Sequence, residues 1–569
     1  MSHAPLSAVS LTLILAIGSA AGHAATAPDQ PATAAATISG AHMLEHITVL
    51  ASDDFEGRSP GTVGEQKTTA YLQQQFKALG LAPGNPDGSY LQAVPMTSVL
   101  SHPTLSYRSG AGAATPLTFP QDYVAWSTSN EAHSTLTASP LVFVGYGVTA
   151  PEYHWDDYKG ADLKGKTLVM LINDPPLPLA SDPAQLDPAM FGGSAMTYYG
   201  RWTYKYEMAA KLGAAGALIV HETKPAAYPY EVVRNSWGRE NFALRSAGPN
   251  PDFPPLPGWL QLDSAKAIFR AGGHDFDTLK QAALSRDFQP VPLNVSIDAS
   301  VDNTMQQLES HNVVARIEGS DPILKNQTIL YTAHWDHFGI DTHLPGGRSA
   351  QIFHGAQDNA SGVAALLEVA RAYRALPVAP KRSIVFLITT GEERGLLGAQ
   401  YYARHPLYPL ARTLLEINVD VMNTWGRTRD VEIVGSGKSD ADDLVARNAA
   451  AQGRSVQPDS KPEAGRFYRS DQFELAKVGV PVVYLKGGQD YIGHEAGYGA
   501  AKTAAYTSHD YHKVTDTVRP DWDMSGAAED AQLIFRIGYD AAQGARYPQW
   551  RAGAEFKAAR DAQLTPAQE

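Results

Sequence analysis

The 569-residue chain contains no cysteine. That absence excludes disulfides, thiol catalysis and Cys-ligated metal sites together, so any metal must be held by His, Asp and Glu. Basic residues are also scarce. Lys and Arg number 46 against 59 Asp and Glu, the formal charge is −13, and no Lys/Arg-rich run breaks the pattern. Phosphate binding needs a basic face, so this balance argues against a nucleic-acid partner. One long apolar stretch occurs, Leu6 to Ala21. Nothing else approaches the roughly 20 apolar residues that span a bilayer, and no membrane span is expected. No repeat of solenoid type is found either.

The Leu6–Ala21 stretch leads into small residues and Gly22-His23-Ala24-Ala25, and the residues before it include His3 but no Lys or Arg. An apolar core followed by a small-residue cleavage site is the pattern of a signal peptide, so export to the periplasm or the medium is expected. The chain is too long for one ordinary core, and two or three domains are the starting expectation. A composition of 44% hydrophobic and 18% charged residues suits folded domains.

Residues 25 to 37 are rich in Ala, Thr and Pro and read as a linker. Helical spacing runs from Glu65 to Leu79 and stops at Gly80. Between about 138 and 265, Val142–Val144, Thr167–Ile172 and Ala217–His221 read as strands and Lys205–Leu212 as a helix, with dense Pro and Gly around them. From about 310 onward, apolar β-branched runs (Thr328–Thr332, Ser383–Thr389, Leu414–Val419, Pro481–Leu485) alternate with helical stretches such as Gly362–Leu376. That alternation predicts an α/β sheet with helices on both faces.

In such sheets the active site lies beyond the carboxyl ends of the strands. The first run ends in Ala333-His334-Trp335-Asp336-His337, the next in Thr390-Gly391-Glu392-Glu393, and the third in Val419-Asp420. Gln357-Asp358-Asn359 falls between the first two, and Asp510-Tyr511-His512 with Thr515-Asp516-Thr517 comes late. Each motif alone has an ordinary explanation: a surface hydrogen bond, a helix cap or a solvated turn. Together they aim several carboxylates and imidazoles at one crevice, where uncompensated charges would repel. Divalent cations supply the missing positive charge, and carboxylate plus imidazole without sulfur suits Zn²⁺ or a similar ion. His334, Asp358, Glu393, Asp420 and His512 over-supply one metal. Two metals sharing one carboxylate use them all, leaving Glu392 free for general-base work.

At these residues the sequence resembles the M28 family of metallopeptidases, in particular bacterial aminopeptidases with an inserted protease-associated (PA) domain. The resemblance begins with Leu50-Ala51-Ser52-Asp53-Asp54-Phe55-Glu56-Gly57-Arg58 and Gly61-Thr62-Val63-Gly64, and continues to Tyr511-His512-Lys513-Val514-Thr515-Asp516-Thr517. It implies a zinc-exopeptidase-type mixed sheet flanked by helices with an inserted β-rich PA domain. The division it implies is 1–27 signal peptide and linker start, 28–137 N-terminal part of the peptidase domain, 138–265 PA-like insertion, 266–545 catalytic domain and 546–569 tail. It further implies two Zn²⁺ per chain, with His334 and Asp420 on one, Glu393 and His512 on the other, and Asp358 bridging. Glu392 is then the general base and Tyr511 stabilises the oxyanion, while Asp336 orients His334 and Asp516 does the same for His512. The implied activity is a secreted aminopeptidase that hydrolyses peptides with a free N-terminus by metal-activated water.

Gln357 stands where relatives often carry Asp, and the loop between His334 and Asp358 is long, with Pro345-Gly346-Gly347 in it. A zinc carboxypeptidase or dipeptidase of the same fold, an aminoacyl cyclase and a non-catalytic binding protein are the rivals. The last predicts eroded ligands, and none is missing. Gly160–Thr167 matches the phosphate-binding P-loop letter for letter, but an apolar strand-like run follows it where a helix should open. Gly57-Arg58-Ser59-Pro60-Gly61 matches the G-x-S-x-G elbow, yet Pro60 lacks the N–H that an oxyanion hole needs. His354, His494 and His509 are expected at the rim. Tyr484, Tyr491 and Tyr498 are expected to line a pocket or to pack as core.

Overall fold

Apolar β-branched runs pair into the strands that carry the site. A computed structural model describes residues 1–2, 30–128, 131–246, 248 and 250–565. The Leu6–Ala21 stretch expected to direct export therefore lies outside the described residues. In chain order the main strands are β1 (Leu91–Ser109), β2 (Tyr123–Ala125), β3 (His133–Phe143), β4 (Thr167–Leu171), β5 (Gly216–Val220), β6 (Asn241–Leu244) and β7 (Leu256–Leu260). They continue with β8 (Val291–Ile317), β9 (Thr328–His334), β10 (Ser383–Thr389), β11 (Thr413–Asn418), β12 (Asp430–Ile433), β13 (Ser455–Pro458) and β14 (Val482–Gly487).

The result is a mixed α/β fold on one large sheet, whose strands run in the order β13-β12-β14-β11-β9-β10-β8-β3-β4-β5-β7-β2. In one half β10, β9, β11 and β14 are parallel. Every residue of β9, β10 and β11 is buried, as expected for parallel strands covered on both faces. Ile329, Tyr331 and Ala333 point to the layer formed by helices Gly40–Leu50, Ser361–Ala375 and Ser525–Gln543. Leu330, one step out of phase, packs with Ala399, Tyr402, Phe473 and Leu475 on the other side.

In the second half β3, β4, β5 and β7 are parallel and β2 closes the edge antiparallel. Apolar clusters cover both faces of these strands, one including Ala265, Ile268 and Phe269 of helix Leu262–Ala271 and the other Tyr206 and Ala209 of helix Trp202–Lys211. The 138–265 segment thus contributes parallel strands and helices together. β8 joins the halves: its first part pairs with β3 and its last residues with β10. β1 runs antiparallel beside it from Val295↔Ser109 to Val313↔Leu91. The Gly160–Thr167 segment is a turn opening into β4, and Gly57–Gly61 begins inside the short 3-10 turn Asp53–Arg58 rather than after a strand. Among the described residues no helix is long and apolar enough to cross a membrane.

Candidate metal centre

The parallel register brings three strand ends level. Thr389 lies opposite His334, and Asn418 opposite Thr332. His334 is the last residue of β9, Glu392 and Glu393 follow β10 in a 3-10 turn after the left-handed Gly391, and Asp420 lies two residues past β11. Asp358 sits in the turn that opens helix Ser361–Ala375. Asn359 beside it donates to the Val419 carbonyl and accepts the N–H groups of Gly362 and Val421, fixing this turn to the β11 exit. Gly355 precedes it at φ 55°, where an added Cβ would lie 2.3 Å from the Asp358 carbonyl. His512, at φ 58°, comes after helix Tyr498–His509.

These five side chains converge. His334 Nε2 lies 3.4 Å from Asp358 Oδ1 and 3.6 Å from Asp420 Oδ1. His512 Nε2 lies 3.2 Å from Asp358 Oδ2 and 3.2 Å from Glu393 Oε2. Asp358 therefore turns one oxygen to each imidazole. Glu392 Oε2 stands 4.0 Å from His334 Nε2. Two groups, His334–Asp358–Glu393 and His334–Glu392–Asp420, each bring one ligand atom per residue within 4.8 Å of one another. The His334 side chain is 1% exposed and that of His512 35%. Tyr511, stacked on His512 at 3.7 Å, is itself 41% exposed, so the centre opens on that side.

The electrostatics record the crowding. Burial pushes the Glu392 carboxyl well above its usual range, with Glu393 and Asp420 adding to the rise and His334 opposing it. Burial pushes Asp358 up as well, but its bonds to His334 and His512 outweigh this and hold it well below the carboxylate range. Despite burial, Glu393 and Asp358 raise His512 to about 10, while His512 and His337 bring Glu393 down to about 2. Two imidazoles, four carboxylates, no sulfur and a buried Glu393 Oε1 without a hydrogen-bond partner fit a hard or borderline divalent metal.

Asp336 and Asp516 work through the backbone. The carboxylate of Asp336 accepts the N–H of Glu392 at 3.0 Å and of Glu393 at 3.4 Å, whereas His334 Nδ1 donates to the Asp336 carbonyl at 3.1 Å. Asp516 accepts the N–H groups of Gln357 and Asp358, both at 3.0 Å, and so braces the Asp358 turn rather than His512. Gln357 reaches the Met422 carbonyl.

Sequence reasoning missed three neighbours. Arg58, from the 53–58 motif, is buried and donates to the carbonyls of Leu50, Trp335, His354 and Gly355, clamping the chain on both sides of the centre. His337, also buried, puts Nδ1 2.7 Å from Glu393 Oε1 without hydrogen-bond alignment. Its signal was the second His of the His-Trp-Asp-His motif. Lys486 bonds to the Asp420 carbonyl and stands over the ring of Tyr484, whose hydroxyl is 3.3 Å from Asp420 Oδ2. His354 pairs with Asp53, His494 stacks on Tyr498 at 3.7 Å, and His509 ends its helix.

Residues 312–535 match the model of peptidase family M28. A probable leucine aminopeptidase 2 of Aspergillus oryzae is 33% identical over 112 residues, which are 20% of this chain and 19% of that protein. The chain spans less than a quarter of the length of the curated relatives it matches, 19% and 23% in two cases. Among solved structures, an aminopeptidase from Aneurinibacillus sp. strain AM-1 aligns over 91% of this chain and 97% of its own at 19% identity and TM-score 0.49. A zinc aminopeptidase from Bacillus subtilis aligns over 90% and 97% at 18% identity and TM-score 0.41.

Proposed function

We propose, on the match of residues 312–535 to the model of peptidase family M28, that the chain is an exported di-zinc aminopeptidase acting on peptides with a free N-terminus. The observation that carries this reading is the pair of ligand sets joined at Asp358, with His334 and Asp420 on one side and His512 and Glu393 on the other. His334 and Asp420 would hold one zinc, His512 and Glu393 the other, and Asp358 both. When bound, the metals would polarise the scissile carbonyl and acidify a water molecule.

The chain's own residues do the rest. Glu392 takes a proton from the attacking water and passes it to the leaving amine; burial favours its protonated form, so it holds that proton between the two steps. The Tyr511 hydroxyl, on the exposed side of the centre, donates to the developing oxyanion. Asp336 fixes Glu392 and Glu393 through their backbone N–H groups. The carboxylates around the centre attract the substrate's α-ammonium, which favours exopeptidase action. The 138–265 segment is read as a PA-like module, and export through the Leu6–Ala21 leader delivers the enzyme to the periplasm or the medium.

Mass spectrometry of one peptide, with its N-terminus free or acetylated, tests the reading on the purified zinc-loaded protein. Sequential loss from the free N-terminus, with the acetylated form intact, is the expected outcome. Shortening of both forms from the C-terminus would make the enzyme a carboxypeptidase, and cleavage of neither, with zinc bound, would leave only a binding protein.

A further inference from the structure

Arg394 follows Glu393 directly, yet its guanidinium serves no protein acceptor. Its Nε is buried without a hydrogen-bond partner, and among the described residues the guanidinium makes no hydrogen bond or ion pair. The buried Arg58 makes four bonds to carbonyls, and Arg454 bonds Thr428 and pairs with Asp530 at 2.7 Å. Arg394 instead lies between two rings, 4.8 Å from the centre of Phe242 and 5.3 Å from that of Phe338. Phe242 belongs to β6, which lies in the 138–265 segment and pairs with Met96–Val99 of β1. Phe338 packs edge-on against His512 at 4.8 Å. The guanidinium is thus one ring away from a residue of the metal centre, at the boundary with the module.

Two aromatic contacts strip water from a cation without using its donors, because cation–π attraction acts through the ring and leaves the N–H groups unspent. A guanidinium offers five of them in a planar fork that matches a carboxylate. Burial lowers the Arg394 pKa, and the carboxylates of Asp336, Glu393 and Glu240 oppose that, while exposed Arg239 adds a second positive charge nearby. None of these carboxylates is bonded to the guanidinium. A partly buried arginine with no protein partner, its Nε shut off from water, beside a peptide-cleaving centre is a receptor waiting for an anion.

We propose that Arg394 receives a carboxylate of the peptide substrate, on the module-facing side of the centre, and so directs the enzyme to short or acidic peptides. The inference rests on the aminopeptidase reading above. The carboxylate has two sources of the same chemistry: the α-carboxylate of a dipeptide, or an acidic side chain on the residue after the scissile bond.

The test measures kcat/KM on the full-length zinc-loaded protein for Leu-Gly against Leu-Gly-amide, and for Leu-Glu-amide against Leu-Gln-amide. A charge-assisted, bidentate contact predicts a preference of about tenfold to a hundredfold for the acid within a pair. Preference in the first pair assigns the α-carboxylate and preference in the second the side chain. Arg394→Met, which keeps the aliphatic stem between the rings, is expected to bring the favoured ratio to about one. Arg394→Lys, which keeps the charge but not the fork, should retain part of it and serves if the Met variant does not fold. A wild-type ratio near one in both pairs overturns the proposal. So does a variant that slows both members equally and keeps the ratio, since that marks a mere strut between module and centre. Failure of the aminopeptidase reading looks different: a binding protein cleaves none of the four, whereas a carboxypeptidase or dipeptidase cleaves Leu-Gly and leaves both amides of the second pair intact. Calorimetric binding of Leu-Gly against Leu-Gly-amide, to wild type and Arg394→Lys, in that case decides whether the arginine takes the acid.

Discussion

Asp516 Oδ2 accepts the backbone N–H of Asp358 at 3.0 Å, so the carboxylate that faces both imidazoles of the centre is aimed by another carboxylate that touches neither. Groups that orient metal ligands from behind are worth about tenfold to a hundredfold in metal affinity. Asp516→Ala, which removes the acceptor for both Gln357 and Asp358, is expected to weaken zinc binding by that factor. Titration against a competing chelator measures it. Unchanged affinity would mean that the turn keeps its shape through Asn359 alone.

Glu392 and Glu393 are adjacent, but only Glu393 contacts His512, and Glu392 stands off His334 at 4.0 Å. Glu392→Gln should therefore lower kcat by about a hundredfold to ten-thousandfold while zinc content stays at the wild-type level. Glu393→Gln should lose metal. Kinetics paired with elemental analysis checks both, and metal loss in the Glu392 variant would reverse the two roles.

Six ionisable side chains meet in a largely buried volume, and four of them are carboxylates. Removing a metal from such a site leaves their charges to be balanced by protons alone. A chelator should accordingly lower the melting temperature as well as abolish activity, and zinc should restore both. Saturation at about 1,000 times Kd stabilises a folded protein by about 4 kcal/mol. A melting temperature indifferent to chelator would separate the centre from folding stability.

Some of this was readable in the chain and some was not. β9, β10 and β11 stood out because parallel strands buried on both faces are rich in apolar and β-branched residues, and ligands lay at or just beyond their carboxyl ends. The long strands β1 and β8 alternate between buried and exposed positions and pair across more than 200 residues, as Leu91 does with Val313, so no local run announces them. Asp336 and Asp516 were expected to orient imidazoles through their side chains. Their carboxylates bind backbone N–H groups instead, and a backbone donor leaves no mark on residue type. The unpaired state of Arg394 is equally invisible, since it depends on rings contributed from residues 242 and 338.

Beneath the centre, hydrogen-bond bookkeeping fixes one proton. Thr332 Oγ1 is in contact with Glu416 Oε1 and lies 2.8 Å from Asn418 Oδ1. Asn418 Nδ2 donates to Ser470 and to Gln472, which leaves its oxygen for Thr332. A hydroxyl carries one proton and the amide oxygen has none, so Thr332 donates to Asn418 and Glu416 donates to Thr332. Glu416 is thus a neutral acid, and its buried Oε2 has no hydrogen-bond partner that would support a charge. Burial raises its pKa well above the usual range, and Asp471 adds to the rise. A carboxyl whose pKa is raised by folding contributes stability that is fully present below the unfolded value, about 4.3, and is lost as pH climbs through the folded value. Each pH unit crossed in that window costs about 1.4 kcal/mol. Glu416→Gln keeps the shape and has no proton to lose, so above pH 5 its unfolding free energy should fall less steeply with pH than that of the wild type, by up to about 1.4 kcal/mol per unit, and its melting temperature with it. Parallel thermal melts across that range decide the matter. If the two slopes coincide, or if the Gln variant is the weaker protein at pH 8, the carboxylate is ionised and Thr332 gives its proton to Glu416 instead.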